Sequence, residues 1–112
     1  MLRASIEHHG GSCDAAVIPK GCGSCGVTGA EEIFALTDAV VLRDNAEYPD
    51  ARVRAELRFG RAGADRVAMV AANFQMMNRL MDAIGGPVPT RHDPLADEMG
   101  LTVPDHLRED LR

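Results

Sequence analysis

Apolar residues recur with a helical period over the middle of the chain and lose it at both ends. Ile33, Phe34, Leu36, Val40 and Val41 follow directly on Thr28-Gly29-Ala30-Glu31. That tetrad has the form of a capping box, in which the hydroxyl accepts from the Glu31 amide and the carboxylate reaches back. The pattern predicts a helix from about Gly29 to Leu42. Arg43 to Tyr48 is polar and predicts a turn, after which Pro49-Asp50 opens a second helix carrying Val53, Leu57 and Phe59 toward Gly60. Arg52, Arg54, Glu56 and Arg58 alternate around it, which predicts an amphipathic, peripheral element. Gly60 to Gly63 is the next expected break.

From Ala64 to Ile84 the period is strongest. Val67, Val70, Ala71, Phe74, Met77, Met81 and Ile84 form one stripe, and Met69, Ala72, Met76 and Leu80 form a second at the same spacing. Gly85-Gly86-Pro87 closes the helix, because Gly supplies a left-handed terminal residue and Pro forbids continuation. Such a helix is about 30 Å long at 1.5 Å per residue and is expected to run through the middle of the domain as its most buried element. Two apolar sides imply packing on two sides, and with only two other good helices in the chain the second stripe is expected against another copy.

Residues 1–27 hold five of the eleven Gly, all three Cys, and His8 and His9, without a sustained period. They predict a loop-rich leader, with Ala15 to Ile18 a short extended piece. Beyond Gly86 the chain is Pro-rich. Short helices are expected from about Pro94 to Met99, stopped by Gly100, and from about Pro104 to Leu111. The sum is an all-α fold in one domain over 1–112, with a leader (1–27), a helical core (28–86) and a tail (87–112).

Composition narrows the partners. Hydrophobic residues are 46% and charged residues 26%, the balance of a chain that folds. A net charge of −5 without a basic run argues against nucleic acid. Apolar stretches fall short of a membrane span, and the start lacks the apolar core of a secretory signal, so a cytoplasmic setting is expected. Phe34, Phe59, Phe74 and Tyr48 are the only aromatics, so Leu, Val, Ile, Ala and Met must fill the core, the Met stripe (Met69, Met76, Met77, Met81) included.

Candidate chemistry lies with the thiols. An odd cysteine count without an export signal argues against a disulfide framework. Cys22-Gly23-Ser24-Cys25 has dithiol spacing: one thiolate attacks and its neighbour resolves, with Cys25, nearer the helix start, as the attacker and Cys22 as the resolver. The same residues have the form of a zinc knuckle, which Cys13 and His8 or His9 would complete as a Cys₃His site, with His9 the preferred fourth ligand. A third possibility is a leader in which the thiols have no role. Asn78 and Arg79 interrupt an apolar helix; they are either an anion or substrate anchor or, preferably, part of a salt bridge between subunits with Asp38, Asp82 or Glu56. His92 and His106 lie among polar residues and receive no role.

The stretch from Ala68 through Asn78-Arg79 to Gly85, followed by Pro87-Val88-Pro89, resembles the C-terminal helix of the carboxymuconolactone decarboxylase and alkylhydroperoxidase D-like superfamily. The likeness extends more weakly back over the two preceding helices, through residues 28–89. It implies an all-helical homo-oligomer (dimer, trimer or hexamer) and a thiol-dependent peroxidase or disulfide oxidoreductase served by a thiol reductant, with Cys22 and Cys25 as the catalytic pair and no other cofactor. The place of the family's His is Gly29 here, and the place of its Glu is Gly10, with Glu7 and His9 only near. The alternative is a non-catalytic helical oligomer, a degenerate relative with a structural zinc or none. A decarboxylase-type lyase ranks third, since it needs a general acid/base in a pocket and no residue stands out for that role.

Overall fold

The computed structural model describes residues 8, 10, 14–20 and 25–108. Two α-helices dominate: α1, Ala30–Leu42, and α2, Tyr48–Ile84. A short α3 follows at Asp93–Glu98, and 3-10 turns occupy Ala15–Lys20, Thr90–His92 and Asp105–Leu107. The chain forms two compact units, 28–79 and 1–27 with 80–112.

Within 28–79, helix α1 starts differently from its sequence expectation. Its N-cap is Gly29, at φ 76°, and no side chain caps it, so the Thr28–Glu31 capping box does not form. The reason is Phe59. A Cβ on Gly29 would lie 2.4 Å from the tip of that ring, so the start of α1 is set by how closely its backbone approaches an aromatic side chain. At the other end Arg43 adopts φ 56°, and the Asp44 amide bonds the Ala39 carbonyl at 3.0 Å. The Asp44 carboxylate then accepts from the amides of Ala46 and Glu47, at 2.9 and 3.0 Å, and turns the chain into α2.

Helix α2 joins the two helices expected on either side of Gly60–Gly63. Only Gly60 leaves helical geometry, at φ 73° and ψ 167°, a combination essentially confined to Gly. The break is therefore one residue wide, and the second limb begins earlier than Ala64. That limb is unbroken to Ile84, where the Gly86 amide bonds the Met81 carbonyl at 2.8 Å and the Gly85 amide bonds that of Asp82 at 3.1 Å. This is the Schellman closure that Gly85-Gly86 predicts.

The core of 28–79 is made of small residues. Leu36 is fully buried, and Ala39, Ala51, Ala55 and Ala64 pack with it. Ala51 and Ala55 sit four apart on the first limb and let α1 approach closely; Val53 and Leu57, expected to carry that helix's apolar face, are exposed instead. Alanine periodicity, not bulk, decides the inward face. The second limb is likewise not the most buried element of the single chain: only Ala64 and Ala71 are buried on it. Met69, Met76, Met77 and Met81 are all exposed, so none of that stripe is core here.

In the other unit, α3 packs on the Ala15–Lys20 turn, which is 3-10 where an extended piece was expected. A salt bridge of 3.3 Å joins Arg108 to Asp93. The expected helix over Pro104–Leu111 is only the turn Asp105–Leu107. Arg108 is extended and forms an isolated parallel bridge with Val88, whose amide reaches the Leu107 carbonyl at 2.6 Å. That pairing draws the backbone out of helical geometry.

Candidate functional site

Of the thiols, only Cys25 falls within the described residues; Cys13, Cys22 and His9 lie outside them. Cys25 is 4% exposed, its thiol is free, and its carbonyl accepts from the Asp14 amide at 3.3 Å. A thiol this enclosed packs as a small apolar group, whereas a reactive one needs access. His8, the other histidine weighed as a zinc ligand, is exposed. No group of three or more metal-ligating side chains occurs among the described residues.

Asn78 and Arg79 are both exposed on α2, and Arg79 has no acidic partner within the chain among the described residues. Within the chain Glu56 is bonded to Arg52 at 2.7 Å, four residues earlier on the same helix. Asn78 has a different neighbourhood: it closes one end of a groove of about 490 Å³ between α1 and the second limb of α2. Ile33, Thr37 and Val41, at i, i+4 and i+8 on α1, form one wall. Val67, Val70 and Phe74 form most of the other, with Arg66 at the start of the limb and Gln75 beside Asn78.

Sequence periodicity marked the apolar members of this groove as core. It missed Thr37, Arg66 and Gln75, whose signal was a polar residue directly beside an apolar position: Arg66 before Val67, Gln75 after Phe74 and Thr37 one turn after Ile33. The opposite side of the limb carries the second stripe. Met76 lies nine residues beyond Val67, half a revolution round the helix at about 100° per residue. Met69 and Met76 are 71% and 56% exposed, so large apolar side chains of this limb point away from the groove and into solvent, and Leu80, one turn on, is 58% exposed.

No family model, no curated protein and no solved structure matches the chain. No helix among the described residues is long and apolar enough to cross a membrane.

Proposed function

We propose that this protein is a self-associating helical module, in which the outer stripe of α2 forms the contact between copies. The observation that carries this is the exposure of Met69, Met76 and Leu80, spaced by seven and four residues on one helix. Large side chains in a continuous row, facing away from the chain's own core, lose contact with water only if a partner supplies the other half. A second copy is the simplest such partner, because the same stripe pairs with itself about a two-fold axis. The homo-oligomer implied by the superfamily resemblance supports the same reading. Light scattering at micromolar concentration tests it: a dimer or larger is expected, and a monomer would overturn it.

A second reading, a cytoplasmic thiol-dependent oxidoreductase of the alkylhydroperoxidase D-like type, is favoured by the Cys22-x-x-Cys25 spacing. In it the Cys25 thiolate attacks a peroxide oxygen, forming a sulfenic acid and releasing the alcohol or water. The Cys22 thiol then condenses with that sulfenic acid, releasing water and leaving a disulfide, which a thiol reductant returns to the dithiol. The burial of Cys25 restricts this step to small oxidants unless the segment opens. A lyase of the decarboxylase type lacks support, since among the described residues Arg66 is the only charged side chain in the groove and an arginine does not exchange protons near neutral pH.

A further inference from the structure

We infer that the groove between α1 and the second limb of α2 is a binding site for an aliphatic carboxylate, held by Arg66 at its head and by the apolar walls along its tail. The volume of about 490 Å³ lies in the range of small-molecule sites, and the lining is apolar with a few polar groups, as such sites are. Arg66 and Asn78 stand twelve residues apart on a straight helical limb, about 18 Å at 1.5 Å per residue, so the groove is long and narrow and suits an unbranched chain. Ile33 and Val41 on one side and Val67, Val70 and Phe74 on the other give that chain apolar contact throughout.

Charge selects the head group. Among the described residues Arg66 is the only ionisable side chain lining the groove, and it has no acidic partner there. Arg52, on the other limb, is held by the carboxylates of Asp65 and Glu56. Arg66, next in sequence to Asp65, has none and is exposed at the groove's end. A guanidinium presents paired donors that match the two oxygens of a carboxylate. Burying the tail then adds affinity with each methylene removed from water. Gln75 and Asn78 mark the far mouth with amides, and Thr37 supplies one hydroxyl on the facing wall. The site uses the face of α2 opposite the self-association stripe, so it does not depend on that reading.

The test is calorimetric titration of the full chain with dodecanoate, below its own aggregation concentration, with dodecanol as the uncharged control. Saturable binding of one dodecanoate per chain is expected, with dodecanol at least tenfold weaker. Arg66→Gln should weaken dodecanoate at least tenfold and leave dodecanol unchanged, and Arg66→Lys should recover part of the loss. Val70→Trp, at a half-exposed position of the wall, should fill the groove and abolish both while the melting curve shows the fold intact. Should Val70→Trp not fold, Ile33→Phe on the facing wall makes the same prediction. Equal binding of dodecanoate and dodecanol, indifference to Arg66→Gln, or no saturable binding would each overturn the assignment. Met76→Glu separates the two proposals: it should dissociate the oligomer and leave dodecanoate binding intact. Loss of both together would place the ligand between copies and overturn the groove site.

Discussion

The guanidinium of Arg52 donates to the carboxylate of Asp65 at 2.5 Å, and the two residues stand on opposite sides of the break at Gly60. Thirteen positions separate them, far beyond the reach of neighbours on one helix, so the bond spans the two limbs of α2 and fixes the angle at which they meet. Glu56 shares the same guanidinium at 2.7 Å. The hydrogen bond to Asp65 is the larger cause, and that to Glu56 the second, by which Arg52 is held further into its charged form than an ordinary arginine. Asp65 is about half exposed, so the pair is open to solvent and to salt. Asp65→Asn should lower the melting temperature slightly at low ionic strength and converge with the parent at high salt. Equal salt response in both proteins would show that the bond does not hold the angle.

Substitutions at Gly29, the N-cap of α1, and at Gly60, within α2, should fail for different reasons. Gly29→Ala places a methyl 2.4 Å from the Phe59 ring at a positive φ, and overpacking of this kind costs about 1–3 kcal/mol. Gly60→Ala meets no atom within 4 Å but imposes φ 73° and ψ 167° on an L-residue, which costs about 1–3 kcal/mol as strain alone. Phe59→Leu in combination should recover part of the first loss and none of the second. Chemical denaturation of the single and double variants measures this directly.

Leu36 is the largest fully buried side chain among the described residues, surrounded by alanines that cannot move in to fill its place. Leu36→Ala should therefore destabilise by about 2–5 kcal/mol, a large fraction of what holds a small domain together. The same change at Leu57, which is 84% exposed, should be nearly silent. Comparable losses at the two sites would mean that Leu57 is covered in solution.

Self-association through α2 predicts that Met76→Glu, at the middle of the outer stripe, converts the oligomer to monomers without lowering helix content. Leu42→Glu, at a 75% exposed position on α1, should leave the oligomer intact. Sedimentation equilibrium distinguishes the outcomes, and a monomer from Leu42→Glu with an oligomer from Met76→Glu would move the interface to α1.

Cys25, at 4% exposure, should react slowly with an alkylating reagent in the folded protein and rapidly in denaturant. A working dithiol would lose two hydrogens on oxidation, and Cys22→Ser would then leave a trappable mixed disulfide on Cys25. A zinc site gives a different pattern, with protection of all three cysteines released by chelator and Cys13→Ser as damaging to the fold as either partner. Equal labelling of all three, with no metal and no loss of stability in the Ser variants, would leave the segment without either role.

The helices themselves were readable from the chain, because helix formation and termination are governed by neighbours. The period of 3.6, the Gly85-Gly86 closure and the stop at Gly100 all act within one or two turns, and α1, α3 and the two outer ends of α2 appear close to their expected positions. What the chain could not tell was which side of each helix faces inward. Alanine at 51, 55 and 64 carries little hydrophobic signal beside Val53 or Leu57, yet it occupies the core, because two helix backbones come closest where side chains are smallest. The failed capping box at Thr28 and the closure of α2 across Gly60 have the same origin. Phe59 against Gly29 and Arg52 with Asp65 are contacts between residues far apart in sequence, and they decide geometry that local propensity left open. The groove is tertiary in the same sense: Ile33, Thr37 and Arg66 have no relation along the chain and share a site only because α1 lies beside the second limb.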